Sequence, residues 1–387
     1  MRVVIVGAGV AGLSLAQWLT RFGHEPVVVE KAPELVVGGY KIDVRGAAIE
    51  IMERAGLLEA LEAASTHMRG AVLVDREGAE IARMSGDDFG HRIGDDLEIV
   101  RGPLCRLLDR AAGAEVRYST TVTGVTETPA GIEVALSTGE TFVADALVGA
   151  DGLHSATRSL VFGPEEDFRR DLGMSLCVFS VPNHLGRDRE ELQYSELGRV
   201  AAIWATATEP EAKATFGFAA TDTYDRRDRQ AQEQAVREAF AGIGWEVPRL
   251  LEAMPAATDW YFDAAAQIEM PSWSSGRVVL VGDAAYCASP MSGQGSSLAL
   301  VGAYVLAGEL ASCGGDVVAA FAAYDAVLRP FVEANQALGR ISAARMTELE
   351  PGADTELSAE QIEAVLDSTT DRIADAARAV ELKPYPV

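Results

Sequence analysis

Gly7-Ala8-Gly9-Val10-Ala11-Gly12 places glycines at the spacing GxGxxG, directly after the β-branched run Val3 to Val6. A run from Pro26 follows and ends on an acid, Glu30. This pattern suits a dinucleotide phosphate. Gly7 allows a tight turn, Gly9 lets the backbone approach a pyrophosphate, and Gly12 lets the following helix pack closely on a sheet. Val10 and Ala11 lie within that turn, just before a helix whose first N–H groups and positive dipole end face the phosphates. Glu30 would accept hydrogen bonds from the two adenosine ribose hydroxyls and disfavour a 2′-phosphate, with Lys31 beside it. NAD and FAD both remain open at this point.

A second turn favours flavin. Gly282-Asp283-Ala284-Ala285 follows the apolar run Val278 to Val281 and continues through Pro290 to Gly293, Gln294, Gly295 and Ser296 before a helix. A carboxylate at Asp283 can accept from the hydroxyls of a ribityl chain, which FAD has and NAD lacks. Gly293, Gly295 and Ser296 would bring a helix N-terminus near the flavin pyrimidine ring, where its dipole stabilises negative charge on the reduced ring. Cys287 reads as a small buried core residue.

With these two turns and the segment Asp151-Gly152-Leu153-His154-Ser155-Ala156-Thr157-Arg158 between them, the chain resembles the class A flavoprotein hydroxylases, the p-hydroxybenzoate hydroxylase-like family that includes the tetracycline-inactivating monooxygenases. The resemblance spans residues 7 to 295. It implies an FAD-dependent monooxygenase in which NAD(P)H is the transient reductant. Oxygen from O2 then passes, through a flavin C4a-hydroperoxide, to a small aromatic or polycyclic organic substrate. It also implies roles for single residues. Arg101 resembles the family's FAD-contacting arginine, and Asp43 and Arg45 resemble polar residues that line the flavin or its approach. Val122 matches a strand position whose backbone meets the adenine, and Asp151-Gly152 a turn tied to FAD and to reduced-nicotinamide contacts. Pro290 resembles the proline beside the reactive flavin edge. The chain departs from the family at Tyr286, where histidine is commoner, and at Ser297 and Val301-Gly302-Ala303, where asparagine and Asp-Ala are common; these departures bear on the reaction more than on flavin binding.

Other chemistries leave no trace. The chain has no GxSxG elbow, no GxxxxGK[ST] loop and no HExxH, and its five histidines are scattered, so surface or structural roles are expected for them and no metal site. A dehydrogenating flavoprotein, one with structural FAD that only shapes a pocket for cyclisation, and a flavin-containing sequestering protein share the same expected fold.

The elements expected to position these residues form an α/β chain. A Rossmann-like FAD-binding domain is interrupted by a mostly antiparallel substrate sheet and followed by C-terminal helices. The boundaries read as 1–68, 98–170 and 268–315 for the FAD-binding domain, 69–97 and 171–267 for the substrate domain, and 316–387 for the helices. Helices are expected over 13–22, with Gly23 as C-terminal cap, and over 45–61, 103–112, 230–240, 294–311, 317–346 and 358–380. Pro351-Gly352 should break the last two. A hairpin is expected over 70–84 with its turn at Asp75 to Gly78.

Composition supports a packed enzyme: 48% of residues are hydrophobic and 24% charged. The net charge of −25, from 58 acidic and 33 basic residues, argues against nucleic-acid partners. The four cysteines form no CxxC pair, which suits a reducing cytoplasm. No uninterrupted apolar run approaches the roughly 18 residues of a membrane span.

Overall fold

The computed structural model describes residues 1–207, 209–220, 225, 227–347 and 359–385. The strand Arg2–Val6, with Val3 and Ile5 fully buried, lies near the middle of a six-stranded sheet. The order is Ser274–Ser275, Val278–Leu280, Ala146–Gly149, Arg2–Val6, Glu25–Val29, Glu115–Arg117, parallel except at the first pair. Its central strands are short apolar runs because both faces are covered. The helix Val10–Arg21 lies between the first two strands in sequence, and Gly23 follows it at φ +77°. This is the expected βαβ unit, with the helix beginning three residues earlier than its apolar periodicity suggests.

Four chain turns leave the carboxyl ends of adjacent parallel strands: those at Gly7, Glu30, Ala150-Asp151 and Gly282-Asp283. Backbone hydrogen bonds lock them in line, from Gly7 N to Val29 O at 2.8 Å, Ala150 N to Val6 O at 2.8 Å and Val281 N to Gly149 O at 2.9 Å. In open α/β sheets ligands bind at this edge. Residues separated by up to 276 positions in sequence therefore meet because their strands are neighbours.

A second sheet has seven strands in the order Tyr261–Ile268, Arg169–Val181, Ala212–Ala219, Arg199–Trp204, Glu190–Glu196, Gly70–Val74, Glu80–Ser85. Only the pairing of Glu190–Glu196 with Gly70–Val74 is parallel. The hairpin turn forms where Asp75 suggested it: Gly78 N donates to Asp75 O at 3.0 Å, and the Asp75 carboxylate accepts from the amides of Glu77 and Ala79. The helices Arg229–Ala239 and Val247–Ala253 complete a separate core on one face of this sheet. Its other face turns towards the six-stranded layer.

Some elements differ from expectation. The helix expected over 45–61 is two, Ala47–Ala55 and Leu58–Ala63, because Gly56 takes the left-handed conformation (φ +72°) and caps the first. Arg101 does not precede its helix but begins it, at Arg101–Ala112. The strand Lys41–Val44, paired antiparallel with Leu97–Val100, and the strand Thr141–Ala144, which completes a three-stranded meander, were not foreseen.

The helix Gly295–Ser312 is apolar and long enough to cross a bilayer, yet 78% of it is buried inside the protein, packed between Val10–Arg21 and the long helix Val317–Thr347. It is a core helix. The expected break at Pro351-Gly352 lies outside the described residues; the final helix is described from Ala359 to Ala377.

Candidate active site

The four turns open into one cavity of about 670 Å³ that extends from the parallel strand ends to the inner face of the seven-stranded sheet. At the nucleotide end, Gly7 has φ +106°, and a Cβ there would lie 2.6 Å from the Ala150 carbonyl oxygen. Only glycine meets both demands. Gly9, Val10 and Ala11 line the cavity beside it. Gly12 does not: it faces inward, where a Cβ would stand 1.9 Å from Gly7 O, so it serves helix packing rather than ligand contact.

Glu30 and Lys31 both line the cavity. The Glu30 carboxylate accepts 2.8 Å bonds from the amides of Ala8 and Ala32, which fixes its direction across the glycine turn. A carboxylate has about four acceptor positions, so two bonds leave capacity for hydroxyl donors. Arg101 lines the same region; one of its terminal nitrogens would be 3.5 Å from a Cβ on Gly9.

The segment at 151–158 acts as a brace. Asp151 lines the cavity but spends its carboxylate on Ser155 Oγ at 2.5 Å and on the amide and hydroxyl of Thr157 at 2.9 and 3.1 Å. Arg158, fully buried, donates to Leu153 O at 2.6 Å and Ala284 O at 2.9 Å, and so ties this turn to the one carrying Asp283. The pattern of Asp151 and Arg158 thus holds two strand-end loops in register.

Asp283 is exposed on the cavity wall, and its recessed position pushes its carboxyl above the ordinary range despite a hydrogen bond from the Cys287 thiol. Burial and the Asp283 charge push that thiol well up, so Cys287 is not a thiolate nucleophile. Gly282 takes φ +65° with Ala11 close by: a Cβ on it would meet the Ala11 methyl at 2.8 Å. Pro290, Gly293, Gly295 and Ser296 line the cavity next to Asp283, and Val122 lines it near the nucleotide end.

Two expected residues behave differently from each other. Asp43 lines the cavity, paired with Arg45 at 2.9 Å and Arg92 at 3.4 Å, and burial raises its carboxyl. Arg45 does not reach the cavity. It is 3% exposed and buried against the 86–96 segment, donating to the carbonyls of Gly90 and His91, 2.5 and 2.7 Å away, and pairing with Asp96. The residue before the glycine hinge at Gly46 clamps the 86–96 segment instead of approaching a ligand.

Tyr286 and Gly302, where the chain departs from its family, also lie off the cavity. The Tyr286 hydroxyl accepts from Tyr324 at 3.0 Å, and a Cβ on Gly302 would stand 2.0 Å from that hydroxyl. The two departures are one packing change: the larger residue at 286 fills the space left by the absent side chain at 302. Their effect is on the core and not, as expected, on the reacting site.

The sequence marks the inserted sheet as the far wall of the pocket but singles out none of the residues on it. Tyr40, Lys41, Glu191, Trp204, Thr215, Tyr261 and Asp263 line the cavity from the 40–44 strand and the seven-stranded sheet. Tyr40 and Tyr261 have ring centroids 5.1 Å apart; burial, then the Asp283 charge, pushes the Tyr40 phenol up to about 12, and burial takes Tyr261 well above its usual value. Both stay protonated. His154, expected to be structural or on the surface, lines the cavity between Glu165 (2.8 Å) and Asp263 (3.2 Å). The Asp263 hydrogen bond outweighs burial and raises the His154 pKa. Only the position of His154, three residues after Asp151, hinted at this.

The donor set fits FAD: a strained glycine turn at a helix N-terminus, an oriented acid at the next strand end, and a carboxylate exposed on the cavity wall where a ribityl chain offers hydroxyls. Comparison with known proteins agrees. The FAD binding domain family matches residues 1–336. A flavin-dependent monooxygenase from an unknown prokaryotic organism is 38% identical over 386 residues, covering 99% of each chain. A flavin-dependent monooxygenase of Legionella longbeachae serogroup 1 (strain NSW150) is 38% identical over 341 residues, covering 88% of each. The crystal structure of tetracycline destructase Tet(55) superposes with a TM-score of 0.90 at 37% identity, covering 99% of this chain and 98% of that one. The chain belongs to the FAD binding domain family and is an FAD-dependent monooxygenase.

Proposed function

We propose that the protein uses NAD(P)H and O2 to hydroxylate a flat aromatic or polycyclic organic molecule lying against the seven-stranded sheet. The observation that carries this reading is the continuity of one cavity from the glycine turn at Gly7 to the sheet face at Leu176, Val178 and Trp204. A cofactor held at one end then meets a substrate at the other without either leaving the protein.

In this reading Gly7, Gly9, Val10 and Ala11 present the helix N-terminus to the pyrophosphate. Glu30 takes the adenosine ribose, with Lys31 and the Val122 backbone beside it, and Arg101 supports the phosphates. Asp283 takes the ribityl hydroxyls. Gly293, Gly295 and Ser296 bring the N-terminus of the 18-residue helix Gly295–Ser312 towards the ring system, where its positive end favours the reduced, anionic form. Pro290 and Asp43 line the approach, and Asp151 holds its turn in shape. When bound, FAD supplies two-electron transfer from the nicotinamide and activation of O2. The chain itself binds, orients and keeps water out: Leu176, Val178 and Trp204 give the far wall an apolar surface. Tyr261 donates a hydrogen bond to Tyr40, and the neutral Tyr40 phenol can in turn donate one to a substrate without adding charge.

The name of the neighbour Tet(55) makes tetracycline the first compound to test. The unpaired cysteines, three of them buried, suit a cytoplasmic enzyme. The test is anaerobic reduction: NADPH should bleach the flavin bands of the holoenzyme, faster with substrate present. Bound flavin that NADPH never reduces, with any ligand, would favour a structural role for FAD and defeat the proposal.

A further inference from the structure

The inner face of the seven-stranded sheet is apolar along its middle and charged at one end, and the charge is built with care. Glu191 and Trp204 are direct cross-strand partners, so their side chains stand next to one another on the same face. Between them lies the Lys41 ammonium, brought from the opposite layer by the Lys41–Val44 strand: its Nζ is 2.6 Å from Glu191, 3.4 Å from Glu98 and 5.1 Å from the Trp204 ring centroid. Trp204 is itself held by a 3.0 Å hydrogen bond from its Nε1 to Thr215. Burial favours loss of the Lys41 proton, but Glu191 and then Glu98 outweigh it and keep the amine charged.

A buried ion pair is poor material for stability, because a neutral pair of similar size often serves as well. This one is also not sealed in the core. The Lys41 side chain retains 15% exposure against 8% and 9% for Glu191 and Glu98, so the cation is the member most open to the cavity it lines. Glu98 is shared with Arg92 at 3.1 Å, and Arg92 is itself paired with Asp43 at 3.4 Å, so Lys41 is not the only cation holding Glu98. An ammonium has three N–H donors, and two carboxylates leave one for the cavity.

We propose that Lys41, held by Glu191 and Glu98 and backed by Trp204, anchors the substrate by donating a hydrogen bond to an ionised acidic hydroxyl, a phenolate or enolate oxygen, at the edge of a flat ring system. The hydroxyl proton passes to bulk water on binding, and no bond to Lys41 forms. The inference rests on the reading of the sheet face as the substrate wall and names the residue that positions the substrate on it.

The test uses FAD-loaded protein and two probes, 7-hydroxycoumarin and 7-methoxycoumarin, of which only the first can ionise, with a distinct absorbance when it does. Bound 7-hydroxycoumarin should titrate about one pH unit below the free compound, since a hydrogen bond to a charged partner is worth about a factor of ten. In the double variant Lys41→Met/Glu191→Gln, which removes the pair without stranding a charge from it, that shift should vanish. The dissociation constant for 7-hydroxycoumarin should rise about tenfold at a pH well above the free compound's pKa, where the anion predominates, and by much less below it. Affinity for 7-methoxycoumarin and the flavin spectrum should be unchanged, which shows that the cavity still forms. An equal shift in wild type and variant would overturn the role of Lys41 while leaving the substrate wall in place. Failure of both coumarins to bind the wild type would overturn the substrate wall and the inference with it.

Discussion

Gly7 shows how little tolerance the nucleotide end has: its φ of +106° strains any L side chain, and a Cβ would meet a backbone carbonyl that is itself part of the sheet edge. Gly7→Ala should cost about 1–3 kcal/mol of stability, and the purified protein should retain much less than one flavin per chain. Denaturant unfolding together with the flavin-to-protein absorbance ratio checks this. His154 makes a prediction of a different kind. Its pKa is raised in the folded protein by Asp263 and Glu165, so the folded state holds this proton more tightly than the unfolded chain does. The added stability is fully present below the unfolded value of about 6.5 and disappears as pH rises through the raised folded value. Wild type should therefore lose Tm relative to His154→Gln as pH rises from about 6.5 through the raised folded value. A constant Tm difference across that range would show that the histidine does not titrate as described.

At the scale of elements, the helix Gly295–Ser312 has room for Tyr286 only because position 302 lacks a side chain. Gly302→Ala should destabilise by about 1–3 kcal/mol through overpacking. Removing the obstructing hydroxyl in Tyr286→Phe should recover much of that in the double variant, although the single variant loses the bond from Tyr324, worth about 1 kcal/mol. A double-mutant cycle measured by unfolding tests the coupling, and additive costs would mean the two positions do not share space. The same elements show what sequence could reveal. The βαβ start, the Asp75 turn and the strand-end acids are local patterns, in which each residue's role follows from neighbours a few positions away. The split at Gly56 was hidden because apolar spacing continues across it, and only the left-handed backbone breaks the helix. The direction of Arg45 depends on carbonyls at Gly90 and His91, some 45 residues later.

Across the whole molecule, the site is assembled by topology. The nucleotide end was legible because parallel strands in this order bring their carboxyl ends together. The substrate end was not, because Lys41 meets Glu191 across 150 residues and Tyr40 meets Tyr261 across more, and no spacing rule connects them. The seven-stranded sheet's second core, on the face away from the cavity, leaves the inner face free to take a ligand. We propose that this enclosed arrangement transfers oxygen from O2 to an organic molecule. The most direct measurement is mass spectrometry of the product formed from tetracycline, or another substrate that accelerates flavin bleaching, with NADPH under ¹⁸O2. One ¹⁸O atom per product molecule, and none from labelled water, is expected. Product with no label from ¹⁸O2, or NADPH consumption that yields only hydrogen peroxide with every substrate tried, would contradict it.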